Sequence, residues 1–282
     1  MNNFFLIYIF SGCLCFLFYI NLKRICKYLD IYDEPNIIRK THLIKTPAVG
    51  GIFNLIVIAI FLISAKEYFL LLFISLFTMI GICDDKYSLS SNWRLIVSTV
   101  IIAMYASIFP NILISELFFS SLNKSVDIKL FAIPLTILCI LLLTNALNMM
   151  DGINSYCSTF KISALVIILL FILYAEKNNI INTHENFEKI VFLKQIAIIY
   201  ITALSIFTIY NFNNKVFLGD SGSYLSGSIF AYLLISVNKI IPELFSTEVI
   251  FLIFLLPGID MLRLFVYRII NKKSPFKGDR NH

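Results

Sequence analysis

The chain has 282 residues, of which 59% are hydrophobic and 14% charged, and a formal net charge of +6. Soluble domains run nearer about 45–50% apolar and about 25% charged, so the composition argues against a soluble globular domain and rules out intrinsic disorder. Six cysteines lie within or beside apolar runs, a pattern of small apolar fillers or free thiols on a reducing side rather than of a disulfide scaffold.

Nine apolar runs follow in chain order: 4–20, 49–64, 68–83, 93–109, 130–147, 162–175, 191–210, 221–237 and 249–270. Most approach the ~20 residues that carry a helix across ~30 Å of hydrocarbon; 162–175 is the shortest. They do not alternate as barrel strands would, and backbone groups inside a bilayer must be satisfied internally. The expected fold is an all-α integral membrane protein, a polytopic bundle of about nine transmembrane helices in one domain over 1–282, the ninth broken near Pro257-Gly258.

Lys23, Arg24 and Lys27 follow the first run and predict that its far end is cytoplasmic, with the N-terminus outside. Nine crossings then place 16 of the 23 basic residues inside and 7 outside. No repeat or linker is evident. The basic excess suits orientation and anionic headgroups rather than nucleic acid.

Five polar clusters adjoin the runs, and the predicted parity puts all five on the cytoplasmic side. Arg39-Lys40-Thr41-His42 with Lys45, Pro47 and Gly50-Gly51 could meet a phosphate or serve as positive-inside anchoring. Asp84-Asp85 ends the third run beside Lys86 and Arg94. Adjacent carboxylates at a membrane edge call for a cation and suit proton acceptance; a loop pair neutralised by those two basic residues is the plainer alternative. Asn145, Asn148 and Asp151 share a helix face at i,i+3 spacing and offer oxygen donors for Mg²⁺; C-capping and turn chemistry is their structural reading. Asp220, Ser221 and Gly222 open the eighth run, where Asp220 or Ser221 could cap the helix, and Ser223 and Gly227 form a small-residue packing pair. Asp260 lies within the ninth run with Arg263 at i+3, and a basic tail follows with Arg280 and His282. Metal-assisted chemistry on phosphates, with a hydrophobic acceptor, accounts for all five at once.

The stretches RKTHLIKTPAVGGI, DDKYSLSSNWR, NALNMMDGIN, VFLGDSGSYLSG and SPFKGDRNH resemble, in order and spacing, the polyprenyl-phosphate N-acetylhexosamine-1-phosphate transferases. Phospho-N-acetylmuramoyl-pentapeptide transferase is a more distant relative of that family. The resemblance implies transfer of a sugar-1-phosphate from a UDP-N-acetylhexosamine such as UDP-GlcNAc to undecaprenyl phosphate, with release of UMP, as the first step of a cell-envelope polysaccharide. It also implies an enzyme of the bacterial inner membrane with its active site on the cytoplasmic face. By motif, Asp220 would hold Mg²⁺ (or Mn²⁺) with Asn148 as a second ligand, and Asp84 and Asp85 would handle the acceptor phosphate. Phe217 would stack on uracil and Asp151 would lie near the nucleotide. Arg280 and His282 would contact the diphosphate, and Lys45 would add positive charge. The expected partners are both substrates, the lipid bilayer and a second copy of the chain in a homodimer, with no nucleic acid.

Two departures from the family pattern are visible. Ser155 stands where DG-x-x-G has its last glycine, which matters only if that turn needs φ > 0. The chain stops at His282 where the family continues, so a truncated and weakly active form is expected. A secondary transporter or lipid-carrier translocase is the alternative of another class; it would favour ionisable groups at the midplane and repeated halves.

Overall fold

The structure, a computed structural model, describes residues 2–33, 45–151, 155–181 and 183–272. The chain is a predominantly helical membrane protein. Its described residues form α1 (Asn2–Ile20), α2 (Leu22–Leu29), α3 (Gly50–Ser64), α4 (Tyr68–Tyr87), α5 (Ser91–Ile108), α6 (Ala132–Met150), α7 (Tyr156–Lys177), α8 (His184–Phe212), α9 (Gly219–Ile240), α10 (Thr247–Ile253) and α11 (Leu255–Ile270). Two antiparallel ribbons complete them. β1 (Tyr32–Asp33) pairs with β2 (Thr46–Pro47), and β3 (Glu116–Phe119) pairs with β4 (Lys124–Asp127).

A helix covers each apolar run, and five are long and apolar enough to cross a membrane: α4, α5, α6 with the turn before it, α7 and α8. The pair α10–α11 makes a sixth if its 67° bend belongs to one span. Residues 10–20 of α1 and all of α3 are apolar but shorter.

The helices outrun the apolar runs because polar first turns are capped or buried. The Thr183 hydroxyl accepts from the Asn186 N–H at 3.2 Å and starts α8 seven residues ahead of its run. Tyr156 starts α7 six residues ahead. The ninth run breaks at Phe254, not at Pro257-Gly258. Pro257 lies in the first turn of α11, where backbone positions have no intrahelical acceptor, so proline's missing N–H breaks no helix bond.

α9 runs through the centre of the bundle and packs on α3, α4, α6 and α8. Residues 221–231 are buried without interruption, four serines and two glycines among them. A helix surrounded by protein rather than lipid gains from small side chains that let backbones approach. A β-carbon on Gly227 would fall 2.2 Å from the Thr144 Oγ1 of α6, and one on Gly51 of α3 would fall 2.2 Å from the Gly222 nitrogen. The small-residue pair is thus packing surface. Tyr200 of α8, fully buried, shares a 2.7 Å hydrogen bond with Ser226.

At the other end of the bundle the β3–β4 hairpin is tied to α10. Glu248 accepts from the Ser120 and Ser121 N–H groups at 3.0 and 3.1 Å, and from the Ser121 hydroxyl at 2.7 Å.

Candidate active site

The C-terminal ends of α4 and α6 meet the N-terminus of α9. Neither Asp220 nor Ser221 caps α9; the cap comes from another helix. Asp85 Oδ1 accepts from the Asp220 N–H at 2.8 Å and Oδ2 accepts from the Ser221 N–H at 3.0 Å. A carboxylate at two free amide donors of a helix start is well placed electrostatically. The contact requires close backbones. Gly219 sits at φ +76°, a conformation that glycine adopts without strain, and a β-carbon there would meet Asp85 Oδ2 at 2.7 Å. One on Gly81 of α4 would fall 2.5 Å from the Asp220 carbonyl.

Asp84, one residue earlier, points elsewhere. It is 6% exposed and ion-paired with Arg94 of α5. Ser90 begins α5 by accepting from the Trp93 N–H, which sets Arg94 on the first turn. Lys86 does not join the pair; its ammonium lies over the Tyr87 ring. Asp84 also faces the Asp220 side chain, and Asn148 of α6 donates to Asp220 Oδ1. Asp84, Asn148 and Asp220 therefore converge from three helices. Asn145 turns away and donates to the Leu141 carbonyl of its own helix at 2.8 Å.

Asp151 caps α6, its N–H donating to the Asn148 carbonyl at 3.2 Å. Burial pushes its carboxyl up to about 6; the Lys161 ammonium and the Cys157 thiol oppose the rise, and Asp220 adds to it. Ser155, four residues on, has φ +61°, so the turn does need the left-handed conformation. Its N–H donates to Asn211 Oδ1 at 2.6 Å, and Asn211 Nδ2 donates to the Val216 carbonyl at 2.8 Å. One side chain thus ties the segment after Asp151 to the segment before Asp220.

The strip leading into α9 is stitched to α3. Phe217 N–H donates to the Pro47 carbonyl at 2.8 Å, and Gly50 and Gly51 N–H donate to the Phe217 and Leu218 carbonyls at 3.0 and 2.9 Å. The Phe217 ring is half-buried. Lys45, at the start of β2, is exposed with its ammonium 4.8 Å from the Tyr32 ring centre.

A cavity of about 550 Å³ opens between the last turn of α6 and the α10–α11 bend. Met149, Met150, Tyr156, Leu255 and Leu256 make it apolar, and Asp260 and Arg263 stand at its edge, joined by a 2.7 Å ion pair.

Arg39, Lys40, His42, Arg280 and His282 lie outside the described residues. Two members of the constellation carry no signal in the sequence. Asn211 ends an apolar run with nothing to mark it, and Lys161 counts there as a loop charge. Among the described residues, no group of three or more carboxylate, imidazole or thiol side chains could hold a metal ion.

The family model for glycosyl transferase family 4 matches residues 68–238, which span α4 to α9 and include Asp84, Asp85, Asn148, Asp151, Phe217 and Asp220. The chain is 27% identical over 271 residues to the probable undecaprenyl-phosphate N-acetylglucosaminyl 1-phosphate transferase of Bacillus subtilis, covering 93% of this chain and 70% of the relative. It is 26% identical over 287 residues to the undecaprenyl-phosphate alpha-N-acetylglucosaminyl 1-phosphate transferase of Escherichia coli O157:H7, covering 98% and 74%. It is 29% identical over 260 residues to the phospho-N-acetylmuramoyl-pentapeptide-transferase of Campylobacter jejuni, covering 83% and 72%. With three helix ends of the constellation inside the matched segment, the chain belongs to glycosyl transferase family 4.

Proposed function

We propose that this chain transfers an N-acetylhexosamine-1-phosphate from a UDP-sugar, UDP-GlcNAc or a relative of it, to undecaprenyl phosphate at the cytoplasmic face, releasing UMP and starting a cell-envelope polysaccharide. One observation carries the reading: Asp84, Asn148 and Asp220 converge from three helix ends. The cluster offers polar groups for a diphosphate, and the cavity lined by Met149 and Met150 at the end of α6 offers an apolar surface for a lipid chain. The relatives' names supply undecaprenyl phosphate as acceptor and the N-acetylglucosaminyl 1-phosphate group as what is transferred.

In the overall reaction an oxygen of the acceptor phosphate becomes bonded to the sugar-bearing phosphorus, and the P–O bond to UMP breaks. Asp84, with Oδ2 held by Arg94 and its carboxyl facing Asp220, would position the acceptor phosphate and take its proton. Asp85, with both oxygens engaged by α9, fixes the position of Asp220. The half-buried Phe217 ring offers a face for uracil, Lys45 adds positive charge nearby, and Asp151 borders the nucleotide. Arg280 and His282 are the proposed diphosphate contacts of the tail.

The donor set fits Mg²⁺, with Mn²⁺ as an alternative. Two facing carboxylates repel each other unless a cation or proton lies between them, and Mg²⁺ takes one or two protein carboxylates and fills its shell with water and phosphate oxygens. Asp220 would hold it, and Asn148 would do so by turning its amide oxygen inward. Once bound, the ion would neutralise diphosphate charge and stabilise the departing UMP.

The test is UMP release by the purified chain in detergent, given undecaprenyl phosphate, Mg²⁺ and a panel of UDP-sugars. Release with one UDP-N-acetylhexosamine is expected. Consumption of none of them would overturn the reading.

A further inference from the structure

α7 brings a cation to the end of α6 that the proposed reaction has not yet used. Lys161 is 0% exposed, and its Nζ has no hydrogen-bond partner among the described residues. A buried ammonium without a partner is costly and asks for a nearby anion. Its place is set by Cys157, one turn earlier on the same face, whose thiol donates to the Leu147 carbonyl at 3.7 Å. That contact lays the first turns of α7 against the last turn of α6, where Asp151 is the cap.

The other carboxylates of the site each have a partner. Asp84 has Arg94, Asp85 has the amides of α9, and Asp220 has Asn148. Lys161 makes no ion pair with Asp151 among the described residues, but it is the cation whose charge acts on the Asp151 carboxyl. The free carbonyls at the end of α6 also favour positive charge.

We propose that Lys161 is a positioning residue of the active site: from α7 it supplies the buried counter-charge that keeps the Asp151 side chain aimed at the nucleotide end of the donor. The inference rests on the proposed function for its kinetic consequence, but the proposed coupling of Lys161 to Asp151 is tested apart from it. Residues coupled in this way show non-additive effects when both are changed.

The experiment is a double-mutant cycle on the full chain in detergent with Lys161→Met, Asp151→Asn and the double variant. It reads steady-state UMP release and thermal unfolding. Lys161→Met is expected to raise the KM for the UDP-sugar about tenfold and to leave the KM for undecaprenyl phosphate unchanged. The double variant should be no slower than Asp151→Asn alone, and its unfolding midpoint should recover part of what each single change loses. A plain packing role predicts equal effects on both KM values and multiplying losses, and either result overturns the proposal. If the parent chain releases no UMP, the functional reading fails by itself. Additive losses in the unfolding midpoints would then overturn the pairing, and recovery in the double variant would support it.

Discussion

Ser155 shows how one side chain can sit against its backbone. At φ +61° a non-glycine residue costs roughly 1 kcal/mol or more, and the 2.6 Å bond from its N–H to Asn211 offsets that strain. Ser155→Gly should therefore raise the thermal midpoint without loss of turnover, because the Asn211 bond comes from the backbone. A lower midpoint in a melting curve would contradict the strain. Asp84 and Asp85 are neighbours with different work. Asp85→Ala removes the cap of α9 and should cost about 0.5–2 kcal/mol of stability, seen as a lower unfolding midpoint, whereas Asp84→Asn should leave the midpoint near the parent value and abolish most UMP release. The paired carboxylates were legible as a motif. Which of the two is engaged by a helix start was not, because that depends on a helix 135 residues away along the chain.

The elements differ from their apolar runs in ways that follow from burial. Hydropathy marks what faces lipid. It placed a helix at every run yet missed the first six residues of α7, since Lys161 is polar and buried by tertiary packing. It also placed the break of the ninth run at Pro257, although a first-turn proline is compatible with a helix and the 67° bend falls at Phe254. α9 was legible as a run but not as the centre of the bundle. Its approach to α4 makes a strict prediction: Gly81→Ala would put a methyl 2.5 Å from the Asp220 carbonyl, and such overpacking costs about 1–3 kcal/mol. Because that shift separates Asp85 from Asp220, UMP release should fall further than the yield of folded protein on size exclusion. At the far end, Glu248→Ala should free the β3–β4 hairpin, read as faster amide exchange at Ser120 and Ser121, while UMP release persists.

Across the whole molecule, the order of the polar clusters carried more than any one of them. Asp84, Asn148, Asp151 and Asp220 lie on three chain segments up to 136 residues apart, and the sequence-based parity already assigned them to one side. The fold gathers them at one end of the bundle, with the β3–β4 hairpin at the other. The 16:7 basic split further predicts that the carboxylate end faces the cytoplasm. With native thiols replaced, a cysteine at Asn123 should react with an impermeant reagent added to intact cells, and one at Lys272 should not. Reversed labelling would contradict that orientation. The central claim is narrower: the meeting point of α4, α6 and α9 is where phosphoryl transfer occurs. The direct test is the rate of UMP release by Asp220→Asn against the parent chain, at matched folded protein and saturating Mg²⁺. A loss of about 10²–10³-fold with an unchanged unfolding midpoint is the predicted result, and near-parental turnover would contradict the account.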